Sequence, residues 1–254
     1  MRSLDEVNSA QTLMSRGLSD AEIERQTAIP RTTIRDWRRG GGTQRPRACA
    51  NCSNPPTRLD ERAYVYLLGL YLGDGYIART GREGVVHLRI SLDLRYPGII
   101  QGCAAAMAAV MPYNTVRVSE RRTEEHPDGG LAIVSSYSKH WGCLIPQGGR
   151  GTKHSRPIAL EPWQRVLMWR YPATFLRGLI HSDGWRGSNR VSAGGRVYTY
   201  PRYLFSNMSR DILSLFSEAC DILGVMWRYN KENSISIARR ASVEILDRYI
   251  GPKA

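Results

Sequence analysis

Lysine is nearly absent from this 254-residue chain: Lys139, Lys153, Lys231 and Lys253 are the only four, although Lys and Arg together number 36. Acidic residues are also few, 23 in all, and the formal net charge is +13. An excess of that size points to a polyanionic partner, because clustered cations on a protein surface bind phosphate. An arginine-rich composition by itself explains the Arg/Lys ratio but not the net excess. No apolar run is long enough to span a bilayer, which excludes a helical membrane protein. The opening MRSLDEVNSA lacks the apolar segment of a secretory signal, so the expected location is the cytoplasm, beside the nucleoid. Cysteines number five with a single CxxC, Cys49 to Cys52. A four-ligand Zn²⁺ site would need a second pair, for which His140 and Cys143 are the candidates. Cys103 and Cys220 fall in amphipathic helical stretches as buried thiols, so no disulfide framework is expected.

Large apolar residues are missing from RRGGGTQRPRACANCSNPPTR, residues 38–58, where three consecutive glycines and several prolines describe a linker. Residues 1–40 precede it as a small module and residues 41–60 make the connection. In the module, Ser19 and Glu22 have the spacing of a capping box that opens a helix. Ala28-Ile29-Pro30 supplies a turn, and a second helix runs from about Arg31 to Arg39. Ile34 and Trp37 share one face of it, leaving Arg31, Thr32, Thr33, Arg35, Arg38 and Arg39 as phosphate and base donors. This is similar to the helix-turn-helix of small bacterial regulators and resolvases. The alternative is a helical hairpin whose arginines face water. Leu4 to Ser15 would supply a supporting first helix.

The rest of the chain is organised by a phrase that occurs twice, LLGLYLGDG (Leu67 to Gly75) and LRGLIHSDG (Leu176 to Gly184). Each copy has Gly at its third position (Gly69, Gly178) and a small residue four later (Gly73, Ser182). Residues four apart share a helix face, so each copy presents a smooth stripe along which two helix backbones can approach closely. Gly75 and Gly184 read as left-handed helix-ending residues, which puts Asp74 and Asp183 in the last helical positions. An anion there opposes the helix dipole by roughly 0.3–1 kcal/mol. Packing the helices together adds mutual repulsion, and a divalent cation would reverse both penalties.

These residues resemble the LAGLIDADG family of DNA endonucleases, also called the dodecapeptide or DOD type. The resemblance implies an α+β fold: a monomer with internal pseudo-two-fold symmetry whose two αββαββα repeats form a saddle over double-stranded DNA, with the motif helices paired at the repeat interface. It implies that Asp74 and Asp183 bind Mg²⁺ or another divalent cation, with Gly73 and Ser182 beside them. It implies catalytic lysines near the repeat ends, where Lys153-His154-Ser155-Arg156-Pro157 is similar to the family's KxxP stretch and Lys253 is a looser equivalent. Lysine's compact ammonium can shift its pKa where guanidinium cannot, which favours Lys153 as a functional choice over a solvated loop lysine. At the sixth motif position, often acidic in the family, stand Leu72 and His181, the latter expected as a packed helix side chain. The resemblance puts Cys143 at an apolar core position.

Repeat 1 is expected over 61–155, a connection over 156–172 and repeat 2 over 173–254. In repeat 1 a motif helix (62–74) precedes strands at 76–79 and 85–92, a helix at 98–110, strands at 115–121 and 131–136, and a short helix from 140. In repeat 2 a motif helix (173–183) precedes strands at 190–192 and 202–207, a helix at 210–223, strands at 226–229 and 234–238, and a helix at 242–250. Trp163, Trp169 and Tyr171 are expected as the packing face of an inter-repeat helix. Outward-facing candidates for base contact are His87, Arg89, Arg117, Ser119, Arg121, Arg190, Arg228 and Tyr203. The implied activity is metal-dependent, site-specific cleavage of DNA. A regulator that keeps the DNA-binding surface without cleavage is the alternative, and RNA is a third possible partner. The chain carries no intein splice-junction pattern and reads as freestanding.

Overall fold

The computed structural model describes residues 4–38, 59–82, 84–123, 126–149, 151–251 and 253. Arg39, the Cys49/Cys52 pair, the linker stretch 41–58 and the Trp37 side chain lie outside them. The chain forms two compact units, Met1–Ala50 and Asn51–Ala254. Among the described residues no helix is long and apolar enough to cross a membrane.

Among its described residues the first unit has three helices, α1 (Leu4–Ser15), α2 (Asp20–Thr27) and α3 (Arg31–Arg38). Ser19 caps α2, its hydroxyl accepting the Glu22 N–H at 3.3 Å. Ala28 takes a left-handed conformation (φ 55°) and donates its N–H to the Glu24 carbonyl, closing the helix before Pro30. Ala10, Ile23, Ile29 and Ile34 are fully buried and form a small separate core.

The second unit repeats one order of elements twice. Helix α4 (Glu61–Asp74) leads into β1 (Gly75–Arg79), β2 (Val86–Asp93), α5 (Pro97–Val110), β3 (Val116–Thr123), β4 (His126–Ser138) and the short α6 (Trp141–Leu144). A 3₁₀ turn (Lys153–Ser155) and α7 (Pro162–Arg170) connect it to the second copy: α8 (Pro172–Asp183), β5 (Gly184–Ala193), β6 (Arg196–Ser206), α9 (Arg210–Ile222), β7 (Arg228–Lys231), β8 (Ser234–Ile237) and α10 (Arg240–Tyr249). The two antiparallel sheets have corresponding orders, β1-β2-β4-β3 and β5-β6-β8-β7. The α+β, two-repeat αββαββα architecture expected above is the one observed.

Helix α4 is buried on all sides from Tyr64 to Leu72, as a helix apolar all round must be. It lies against α8 at two glycines. A Cβ on Gly69 would stand 2.6 Å from the Phe175 carbonyl oxygen and 2.9 Å from the Gly178 Cα, and one on Gly178 would stand 2.9 Å from the Gly69 Cα. Here backbone touches backbone. On either side, Leu88, Ile90, Ala132 and Val134 of the first sheet and Tyr203, Phe205, Ile235 and Ile237 of the second join the same core, with Met107 of α5 and Phe216 of α9 among the helix residues that cover them.

Several local expectations are corrected. Gly75 and Gly184 are extended, with φ of −87° and −93°, and each opens a strand directly after the aspartate. Their need for glycine is steric: a Cβ would stand 2.5 Å from the Tyr71 Cα at Gly75 and 2.6 Å from the Ile180 Cα at Gly184. The β5–β6 hairpin is far longer than the expected 190–192 and 202–207, because Gly194 and Gly195 (φ 56° and 74°) close a tight two-residue turn. On α7 the buried side chains are Gln164, Leu167 and Met168, whereas Trp169 is 55% exposed and donates to Glu218. Trp169 falls off the stripe set by helical period. Gln164 instead staples α7 to repeat 1, donating to the Tyr64 hydroxyl at 2.6 Å and the Leu144 carbonyl at 3.2 Å. Cys143 is exposed, since Trp141 and Leu144 take the buried face of α6.

Replacing Gly69 or Gly178 with alanine forces two backbones apart and is expected to cost about 3 kcal/mol at either position. Urea unfolding of each variant checks this; a loss no larger than a surface glycine-to-alanine change contradicts the close contact.

Candidate functional site

The glycine contact brings the C-terminal ends of α4 and α8 together, and with them Asp74 and Asp183. Past the crossing the helices stay close: a Cβ on Gly73 would stand 3.0 Å from Asp183 Oδ2. Each repeat then returns a lysine to the same place. Lys153 Nζ donates to the Gly73 carbonyl at 2.6 Å, and Lys253 Nζ donates to the Ser182 carbonyl at 3.1 Å. Each ammonium also lies over a tyrosine ring, Lys153 over Tyr71 at 5.1 Å and Lys253 over Tyr96 at 5.5 Å.

These groups sort into two half-sites, and the sorting crosses the repeats. A cavity of about 550 Å³ is lined by Gly73, Lys153, Asp183 and Asn207. A second, of about 210 Å³, is lined by Asp74, Ser182, Lys253 and Asp93. Each half-site therefore joins the aspartate of one repeat to the carbonyl and lysine of the other. The charges agree: of the two aspartates, Asp183 acts more strongly on Lys153 and Asp74 more strongly on Lys253.

Burial strains every charge in the pair of sites. Desolvation, with help from Asp183, pushes the Asp74 carboxyl up to about 7. Asp183 is also raised by burial, against a 2.7 Å hydrogen bond donated by Asn207 to its Oδ2. Burial lowers Lys153 to about 8 and lowers Lys253 as well. The donors facing each cavity are carboxylate and carbonyl oxygens, the set that hard divalent cations take. An ammonium already rests on each carbonyl as a stand-in cation, so the residues fit a divalent ion. No group of three or more His, Cys, Asp or Glu side chains gathers for a metal among the described residues.

His181 is a packed side chain. Its Nδ1 lies 2.9 Å from the Tyr66 hydroxyl and its Nε2 3.2 Å from the Ile250 carbonyl. A carbonyl can only accept, so Nε2 carries the hydrogen and Nδ1 accepts from tyrosine. Burial, then Arg177, holds the ring down to about 4, and it stays neutral.

The remaining candidates divide by face. Strand register aligns Arg117, Ser135, Arg89 and Tyr76 across the first sheet, on the side opposite the core residues Leu88, Ile90, Ala132 and Val134. His87 stacks on Tyr137 at 3.8 Å beside this row, and its buried Nε2 has no hydrogen-bond partner among the described residues. Ser119 and Arg121 follow along β3 on the same side, both exposed. Arg228 holds the corresponding place in the second sheet. Tyr203 is corrected: it is 1% exposed, on the helix side, and donates to Asp247 at 2.6 Å. Arg190 is exposed, but by alternation it shares the side of Tyr203 instead of that of Arg228. In the first unit Arg31 is held by Glu24 at 2.5 Å and Arg38 by Asp20 at 2.9 Å, with Arg35 also 4.0 Å from Asp20. Thr32 is exposed and Thr33 half-buried on the same helix.

Asn207, Asp93, Tyr71 and Tyr96 were not singled out from the sequence. Only Tyr71 had a local signal, its i, i+3 relation to Asp74 on one helix face; the other three reach the site through the fold.

No protein-family profile matches the chain, and no curated protein matches it. Among solved structures it is similar to the homing endonuclease I-WcaI bound to its DNA recognition sequence, at 12% identity, covering 78% of this chain and 84% of that one, with a TM-score of 0.48. It is also similar to full-length DUF199/WhiA from Thermatoga maritima, at 15% identity, covering 81% of this chain and 60% of that one, TM-score 0.46. A third similarity is to the LAGLIDADG meganuclease I-AabMI bound to uncleaved DNA, at 10% identity, covering 73% and 83%, TM-score 0.46.

A carboxyl raised from its ordinary value of 3.8 to about 7 binds its proton more tightly in the folded state. Its contribution to stability is therefore present in acid and lost as pH rises from about 4 through 7. Without divalent metal, Asp74→Asn should become progressively more stable relative to wild type between pH 4.5 and 8, measured by thermal melts at each pH. A difference that stays flat over that range contradicts a carboxyl whose proton is held by burial.

Proposed function

We propose that this chain is a DNA-binding, divalent-cation-dependent, site-specific endonuclease of the LAGLIDADG homing type, acting as a monomer on double-stranded DNA. The observation that carries the reading is the pair of crossed half-sites, each holding an aspartate, a backbone carbonyl and a lysine at the ends of two paired helices. Asp183 with the Gly73 carbonyl would hold one Mg²⁺, and Asp74 with the Ser182 carbonyl another. When bound, such ions polarise a phosphodiester and acidify water.

The chain's own residues supply the rest. Lys153, at about 8, exists in both protonation states near neutral pH. Its amine can take a proton from the attacking water, and its ammonium can face the charge that develops on phosphate. Lys253 has the same place in the other half-site. Outside the site, Arg89, Arg117, Arg121 and Arg228 carry no hydrogen bond or ion pair to another described residue, and are available for phosphates and base edges. The three-helix unit is proposed as a second DNA-binding module, a helix-turn-helix in which Arg31, Arg35 and Arg38 exchange exposed ion pairs for phosphates; such pairs hold only about 0–1 kcal/mol each.

One observation favours a second reading, a DNA-binding regulator that does not cleave. The two ammonium groups already satisfy the Gly73 and Ser182 carbonyls, so the carboxylates have counter-charges without metal.

Calorimetric titration with Mg²⁺, with and without duplex DNA, separates the two. The nuclease reading expects metal uptake that disappears in Asp74→Asn/Asp183→Asn; DNA binding with no metal uptake in the wild type favours the regulator. Lys153→Met should retain metal uptake yet slow cleavage of DNA by at least about 100-fold, within the usual range for a proton-transfer group. Unchanged cleavage removes Lys153 from the chemistry.

A further inference from the structure

The strand register permits a residue-by-residue comparison of the outward faces of the two sheets. Both sheets start at the glycine after the motif aspartate, with Gly75 opposite Ile90 and Gly184 opposite Phe205. Counting from that anchor, the row Arg117–Ser135–Arg89–Tyr76 in the first sheet corresponds to Arg228–Ser236–Leu204–Trp185 in the second. Three of the four places keep their chemistry: cation, serine and large aromatic. The fourth does not, because a guanidinium in one repeat faces a leucine in the other.

Neither residue is explained by the fold. Leu204 sits between Tyr203 and Phe205, both 1% exposed on the core side, so alternation turns it outward, where a polar residue is the usual choice. Beside it Trp185 is 47% exposed, making an apolar spot on the sheet surface. Arg89 has no hydrogen bond or ion pair to another described residue, whereas many other arginines do: Arg95 bonds Asp93, Arg165 bonds Glu218 and Arg202 bonds Ser236 and Asn230.

We infer that Arg89 and Leu204 are specificity-determining residues that break the symmetry of the DNA target at one pair of base pairs. The inference rests on the DNA-recognition reading above and deepens it. Arginine donates two parallel hydrogen bonds to the O6 and N7 of guanine, and apolar side chains in the major groove contact the methyl of thymine. In the half-site under repeat 1, the base pair at Arg89 presents guanine. In the half-site under repeat 2, the symmetry-related pair presents thymine to Leu204 and Trp185. The pair addressed by Arg117 and Arg228 presents guanine in both halves, so the target is palindromic there and not at its neighbour.

The test is selection from a random duplex DNA pool, performed with Ca²⁺ in place of Mg²⁺ on the full chain, for wild type, Arg89→Leu and Leu204→Arg. Thermal melts report whether each variant is folded. The wild type should select a target with one symmetric guanine pair and one guanine/thymine mismatch of symmetry, each base preferred roughly five- to hundred-fold over its competitors. Leu204→Arg should select guanine in both halves, and Arg89→Leu should lose the guanine preference in its half alone. A wild-type target symmetric at that pair, or variants that leave the selected sequence unchanged, overturns the inference while leaving DNA recognition standing. Selection of no sequence by a folded wild type overturns both.

Discussion

The contact between Gly69 and Gly178 governs the rest of the second unit. Two helices meet there with no side chain between their backbones, and the chains continue to their C-terminal ends still in close approach. Larger residues would separate the helices and part the aspartates. Because they are glycines, two carboxylates that each oppose a helix dipole are also pressed toward one another in a half-buried position. The fold accepts this electrostatic cost only by surrounding the pair with cations.

Those cations come from the two lysines that end the repeats, in a chain with only two others, Lys139 and Lys231. The choice has a physical basis. A compact ammonium reaches a single carbonyl and sits over a tyrosine ring, and its proton is removable once burial lowers its pKa; a guanidinium would be larger and permanently charged. The resulting half-sites are not equal. Asp183 is hydrogen-bonded by Asn207 in the larger cavity, while Asp74 shares the smaller one with a further acid, Asp93, that Arg95 holds. The repeated order of elements thus extends to the principal charges, and the surrounding side chains depart from it. The same is true of the outward sheet faces.

Much of this was legible in the sequence, and the limits have identifiable causes. The repeated phrase, the small-residue stripe, the aspartates at the helix ends and the order of the elements are local or periodic features, which sequence displays directly. The crossing of the half-sites is not local: which aspartate faces Lys153 depends on how α4 and α8 pass one another, and no spacing encodes it. Gly75 and Gly184 were misread because glycine after a helix has two uses, left-handed termination and close approach, and only the backbone decides between them. Tyr203 lies inward because it alternates in phase with Phe205 on the core face, and a one-residue change of phase reverses every side chain. Trp169 was assigned to the core by its size, although helical period places Gln164, Leu167 and Met168 there. Asn207 had no signal, since it reaches Asp183 from the far end of a strand.

What the fold builds, then, is a pair of cavities straddling a helix contact, each lined by an aspartate and a lysine, and two sheets whose outward Arg89, Arg117, Arg121 and Arg228 have no hydrogen bond or ion pair to another described residue. The crossing is the feature on which the functional account rests. A crystal of the chain with duplex DNA and Mn²⁺, measured at a wavelength where manganese scatters anomalously, tests it directly. Crossed half-sites require two peaks, one between Asp183 and the Gly73 carbonyl and one between Asp74 and the Ser182 carbonyl. A peak bound wholly within one repeat, or none while the DNA is held, would contradict it.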